Sequence, residues 1–338
     1  MNKKNINNYY MKKILLIRIL GNDLSGLHGE NQTFTNLKFT LEHEPNFPNT
    51  DKMFLLNRIY DVKKKNALIK ILKKYNIKFI DLPFKIEKFK KIKYNKEIIE
   101  NKNRNNRREF MKSLLPYNLY LINNNGSRNY CLNYGKKNGY KWILPLDSNA
   151  YFTSEMFNNI FNNIKDDTHY IILPQLRLSE KNLPNEIVLD KKFNYKELKT
   201  YEPQIGFNIN SKISFNDKLP YGSSPKAELL RVLNIPGKWD KWLDNKTVFG
   251  IRDRPKQNAK YQLISNVIRL NSQTNKLVNI TDNYFLRTKG LTKLIFKIRN
   301  ENNDNNIEGF SNIKKLNFNL QLLLLVILII LICYKIRY

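Results

Sequence analysis

The sequence predicts an α/β domain: a largely parallel sheet covered by helices. Three observations predict it. Apolar runs of strand length recur at Lys13–Leu20, Met53–Ile59, Ile77–Leu82 and Trp142–Leu146. Amphipathic stretches of helix length separate the first three, which is the βαβ alternation of a covered parallel sheet. The run Trp142–Leu146 is apolar without alternation, as a strand buried on both faces must be.

Taken in order, residues 1–12 form a polar, basic tail. Lys13–Leu20 is short for a secretory signal, Arg18 interrupts it and no small-residue cleavage site follows, so it is predicted as the first strand. It ends at Gly21-Asn22-Asp23. The first strand end of a nucleotide-binding α/β domain meets base and ribose, which makes Asn22 and Asp23 donor-site candidates. The polar loop from Gly26 to Thr33 leads to a helix over Phe34–Leu41, stopped before Pro45. Arg58 closes the second strand. Leu68, Ile69, Ile71 and Leu72 among lysines predict a helix over Val62–Tyr75, and Ile77–Leu82 is the third strand. Lys85–Arg108 is dense in Lys, Asn and Arg and is expected to be an exposed helix or insertion. Leu114–Ile122 is expected as another strand or an approach segment.

The segment Asn123–Thr153 organises the chain. A polar turn through Gly126 precedes a helix expected from Arg128 to Lys137, with Tyr130, Cys131 and Tyr134 at helical spacing. Asn138-Gly139 stops it. The apolar strand follows and delivers Asp147-Ser148-Asn149. Thr153 or Ser154 caps a further helix through Ile164. Oxygen ligands beyond a strand's C-terminal end face the crevice where α/β proteins bind ligands, and Mg²⁺ or Mn²⁺ bound to phosphates takes such ligands.

This block resembles the nucleotide-sugar half of GT-A fold glycosyltransferases, family 2 in particular. There a Gly-x-x-x-Ala-Arg-Asn-like turn and helix precede an apolar strand ending in Asp-x-Asp. Gly126, Arg128 and Asn129 match the first part; Asp147 and Asn149 match the second. Asn149 stands in place of the second acid, and the intervening helix is about one turn long for the family. The loop Gly21–Thr33 and the segment Pro45–Ile59 resemble a poorly characterised subgroup of glycosyltransferases. The resemblance implies a GT-A-like mixed sheet flanked by helices. It implies a nucleotide-sugar donor contacted by Asn22, Asp23, Gly126, Arg128 and Asn129. It also implies a divalent cation, Mn²⁺ or Mg²⁺, on Asp147 and Asn149, with Asp147 catalytic through that ion.

Further along, Thr168–Leu173 is predicted as a strand, residues 178–198 as a surface excursion, and Tyr201–Phe207 as a turn entering a short strand. Pro225 opens a helix after a Ser cap at Ser223 or Ser224. An inverting transfer needs a carboxylate against the acceptor hydroxyl. Glu228 is the first candidate base, with Asp240 and Asp217 behind it; the Glu-Asp pair usual in family 2 is missing. Trp239 and Trp242 are candidates for stacking on sugar faces or for anchoring a helix. Arg252, Arg254 and Lys256 lie in a loop that can close over a pyrophosphate.

Residues 299–315 read as a polar linker. Residues 316–334 are predicted to form one C-terminal transmembrane helix, apolar without a break from Leu322 to Cys333. A short basic tail, 335–338, ends the chain. The expectation is a domain over residues 13–298 on the cytosolic side of a single-pass tail anchor, in a host or virion membrane if the source is viral.

Lys and Arg total 59 against 29 Asp and Glu, a formal net charge of +30. The basic residues are scattered, with no zinc-finger spacing or RNP-like motif, so no specific nucleic acid is expected. The two cysteines, Cys131 and Cys333, predict no disulfide framework. The functional expectation is a membrane-anchored transferase moving a sugar to a glycan, protein or lipid acceptor. The alternative is a catalytically degenerate, membrane-tethered binding or structural protein of the same fold.

Overall fold

The structure is a computed structural model that describes residues 13–26, 29, 31–100, 107–239, 254–271 and 286–302. The chain divides into two compact units, Met1–Leu291 and Thr292–Tyr338. The described part of the second unit, residues 292–302, is helical. The expected transmembrane segment, Asp240, Trp242, Arg252 and Cys333 lie outside the described residues. Among the described residues no helix is long and apolar enough to cross a membrane.

The first unit is built on a mixed sheet. Strand β1 (Ile14–Leu20) pairs in parallel with β2 (Thr50–Asn57) and with β4 (Trp142–Asp147), and β2 pairs in parallel with β3 (Lys78–Leu82). Helix α1 (Gln32–His43) connects β1 to β2, and α2 (Val62–Lys74) connects β2 to β3; the short helices α3 (Ile86–Lys90) and α4 (Lys96–Glu100) follow β3. Beyond β4 two strands, β7 (Thr200–Asn208) and β5 (Ala150–Tyr151), run in the opposite direction. Strand β7 is antiparallel to β4 and to β6 (Tyr170–Arg177). The short strands β8 (Tyr261–Leu263) and β9 (Val267–Arg269) run parallel to β6, and β5 runs antiparallel to β9. Helix α7 (Ser154–Asn163) follows β5. The order is β3-β2-β1-β4-β7-β6-β9-β5, with β8 also on β6. Every parallel strand therefore ends at one edge of the sheet, where β7 begins.

The sheet is covered on both faces, and alternation along the strands decides which side chain goes where. Ile14 and Leu16 join Trp142, Leu144 and Leu146 in one apolar cluster. Leu15 and Ile17 join Ile143, Cys131 and Leu132 in another on the opposite face. Strand β3 closes the sheet with five residues carrying exposed Lys78 and Asp81, which discourages edge pairing.

Two segments differ from expectation. Leu114–Ile122 is not a strand: α5 (Arg107–Tyr117) runs into a π turn over Asn118–Ile122. The buried residues Leu114, Tyr117 and Leu121 fall at helical spacing. Pro116 has no N–H to bond one turn back, and the backbone widens immediately after it. Strand β7 is nine residues long, not a short strand after a turn. Pro203 hides its length in the sequence, because proline reads as a break in a strand. The ladder with β6 shifts register between Leu173 and Gln175, so Pro174 and Pro203 both fall where pairing is irregular.

Candidate functional site

Asp147 is the last residue of β4, on the face that Ile143 shares with α6 (Asn124–Lys137) and α8 (Pro225–Val232). Helix α6 starts at Asn124, one turn earlier than expected, so Gly126 lies inside its first turn. The capping residue Asn123 is left-handed, with φ of 46°. A Cβ on Gly126 would meet Asn123 Oδ1 at 2.2 Å, so only glycine admits the Asn123 side chain there. Asn123 Nδ2 in turn donates to Asn57 Oδ1 at the end of β2.

From α6, Arg128 reaches across and donates to Asp147 Oδ1 at 2.8 Å. Its other branch donates to Asn125 Oδ1, and its plane lies 5.1 Å from the Phe215 ring. Lys226 Nζ donates to Asp147 Oδ2 at 2.8 Å, and Gln204 Nε2 from β7 donates to the same oxygen at 2.9 Å. The side chains of Arg128 and Lys226 are 3 % and 2 % exposed, whereas that of Asp147 is 30 % exposed. Two cations thus lie buried behind a carboxylate that stays partly exposed. Arg128 Nε and Gln204 Oε1 are buried without a hydrogen bond.

Lys226 is buried because of where Pro225 starts the helix. Pro225 takes the first helical position after Ser224, which is left-handed (φ 52°) and makes no side-chain cap bond. That phase puts Lys226 with Leu229 and Leu230, three and four positions on, against the sheet. A lysine on the apolar face of a helix needs an anionic partner, and Asp147 is that partner.

Burial alone would raise the Asp147 carboxyl, but the charges of Lys226 and Arg128 overcome it and hold the group well below the usual carboxylate range. Burial lowers Lys226, with nearby Arg128 acting in the same direction and Asp147 and Glu202 opposing. Arg177, the last residue of β6, stacks 4.3 Å over Tyr201. Burial, with Arg269 and Arg287 close by, brings it down to about 10 against the pull of Glu202. Glu202, two residues before Gln204, is thus the acidic neighbour of both Lys226 and Arg177. The edge therefore gathers Asp147, Arg128, Lys226, Gln204, Glu202 and Arg177.

The other candidates are placed as follows. Asn22 ties three segments together: its Nδ2 donates to Arg58 O and Leu121 O, and its Oδ1 accepts from Tyr60 N. Asp23 accepts from Lys64 Nζ and Thr33 Oγ1. Asn129 bonds both ways with the backbone of Phe215. Asn149 is buried, and its backbone carbonyl accepts from Leu270 N. Glu228 is fully buried, and Arg254 donates to its two oxygens at 2.7 and 2.6 Å. The first candidate base and one candidate pyrophosphate arginine thus close on each other, while Asp217 is exposed. Trp239 is a buried anchor, donating through Nε1 to Ile235 O.

Among the described residues, no group of three or more His, Cys, Asp or Glu could hold a metal ion. Asp147 already accepts three N–H bonds, two of them from cations at 2.8 Å. A divalent ion on the same carboxylate would face both positive charges at close range. The residues present at Asp147 do not fit a resident divalent cation.

No family model and no curated protein matches the chain. Solved structures similar to it include 4-diphosphocytidyl-2C-methyl-D-erythritol synthase from Anaerococcus prevotii DSM 20548. That match has 11 % identity and a TM-score of 0.28, over 83 % of this chain and 97 % of the other. Mouse xyloside xylosyltransferase 1, apo form, is similar at 9 % identity and a TM-score of 0.30, over 75 % of this chain and 84 % of the other. Likeness at these TM-scores carries no argument about chemistry.

Proposed function

We propose that the chain is a glycosyltransferase using a nucleotide-sugar donor, with a glycan, protein or lipid acceptor. The observation that supports this most is the edge where the parallel strands end: an oriented carboxylate, Asp147, with Arg128 and Lys226 fixed on it. Ligands of open α/β sheets enter at this edge, and a diphosphate leaving group needs positive charge there. In the step, the bond between the anomeric carbon and the diphosphate oxygen breaks and its electron pair leaves with that oxygen. The acceptor oxygen bonds to the anomeric carbon, and its proton passes to Glu202, the carboxylate beside Gln204 at the same edge. Anchoring through residues 316–334, with the domain on the cytosolic side, belongs to the proposal. Release of the chain from membranes by alkaline carbonate would remove that part.

A second reading is favoured by the Glu228–Arg254 pair and by Asn149: a catalytically silent, membrane-tethered binding protein. One experiment separates the two. The full chain is incubated with a panel of nucleotide sugars while melting temperature and nucleotide release are followed. A donor that stabilises the protein and is turned over supports the transferase. Turnover that falls at least about a hundredfold in Glu202→Gln, with donor stabilisation intact, supports the base assignment. Stabilisation without release across acceptors supports the silent protein, and no stabilisation by any donor removes both readings.

A further inference from the structure

We infer that the site carries its own counter-ion: Lys226, with Arg128 beside it, supplies the charge on the donor's diphosphate that a divalent metal would otherwise supply. This rests on the transferase reading and names how that donor is held.

Position comes first. Lys226 Nζ sits 2.8 Å from Asp147 Oδ2, on the carboxylate oxygen that a metal would need. Charge comes second. Two carboxylates and a divalent ion sum to zero, and one carboxylate with one ammonium also sums to zero. Asn149 leaves the turn with a single carboxylate, and Lys226 matches that loss. Arg128 then makes the group net positive by one, the sign a diphosphate requires.

Geometry is third. An ammonium has three N–H donors, and among the described residues Nζ has one hydrogen bond, to Asp147. Arg128 Nε is buried without an acceptor. Asp147 is the partly exposed member, so in the free protein it holds the two cations together. Lys226 is 2 % exposed and lies behind that carboxylate, so an arriving phosphate oxygen reaches it only by displacing Asp147. Arg177, Arg269 and Arg287 extend the positive field along the same edge. When the glycosyl bond breaks, the new negative charge falls on an oxygen already paired with a fixed ammonium, and no metal takes part.

The test is calorimetric titration of the full chain with inorganic pyrophosphate, UDP and GDP at about 0.15 M salt, where loose surface pairing is screened. Each titration is run in excess EDTA and in excess Mn²⁺. The expected result is equal affinity within about twofold in the two conditions, and at least about tenfold weaker binding in Lys226→Met, partly restored in Lys226→Arg. Binding that needs Mn²⁺, or unchanged affinity in Lys226→Met, overturns the inference and leaves the transferase reading standing. No binding of any probe in either condition overturns both. If Lys226→Met does not fold, the EDTA comparison on the unaltered chain decides alone.

Discussion

The sheet carries two carboxylates that each hold two cations, one on either face, and they differ in what solvent can reach. On one face Glu44 accepts from Arg18 and from Phe152 N through Oε1, while Lys52 lies 3.1 Å from Oε2. Arg18 also donates to Ala150 O at 2.9 Å. The Arg18 and Glu44 side chains are 0 % exposed, and Lys52 is 16 % exposed. On the other face Asp147 holds Arg128 and Lys226 but stays 30 % exposed. The first cluster lies inside, tying β1 to the turn after β4. The second sits where the strands stop. The same three charges make a sealed rivet in one place and a partly open cluster at the strand ends in the other.

The comparison breaks most directly at Glu44. Glu44→Gln leaves Arg18 and Lys52 buried without their charge partner, and removing one member of a buried pair costs about 3–5 kcal/mol. Urea unfolding should show that loss, while the remaining folded protein binds pyrophosphate with unchanged affinity. Lys226→Met should do the reverse, losing anion affinity with a smaller loss of stability, because Asp147 keeps Arg128 and water. Equal stability losses in the two variants would show that the faces do not differ in kind.

The sequence showed the sheet better than the site, for physical reasons. Apolar strands buried on both faces announce themselves, and β1, β2 and β4 are legible in that way, while the edge strand β3 is legible from its apolar residues Phe79, Ile80 and Leu82. The helix from Arg128 to Lys137 and Asp147 at the end of β4 are legible too, but the helix's first turn, residues 124–127, is not, because its Asn and Gly read as a turn. Strand β7 is hidden by Pro203, and α5 by a proline inside a helix. The partners of Asp147 are hidden more deeply. Nothing local links Lys226 or Gln204 to a carboxylate 79 and 57 residues away. One signal was readable for Lys226, a lysine on the apolar side of a helix that begins with proline. Glu228 illustrates the converse. Its residue type and helix-start position suit a base, but only the fold reveals that Arg254 closes over it.

The smallest expected effect sharpens the contrast through pH. The Asp147 carboxyl is held below its ordinary value of about 3.9 once Lys226 and Arg128 outweigh burial. A group whose value is lowered by folding contributes stability that is complete above the unfolded value and disappears as pH falls through the folded one. The groups facing it are Lys226 from α8, Arg128 from α6 and Gln204 from β7, with Glu202 acting on Lys226, and neither cation loses its charge in acid. The unfolding free energy should therefore fall between about pH 5 and pH 3 more steeply in the natural chain than in Asp147→Asn, which has no carboxyl to protonate. The paired measurement removes the contribution of every other acid. Parallel slopes would mean that solvent, not Lys226 and Arg128, governs Asp147, and the contrast with the sealed Glu44 cluster would then rest on exposure alone.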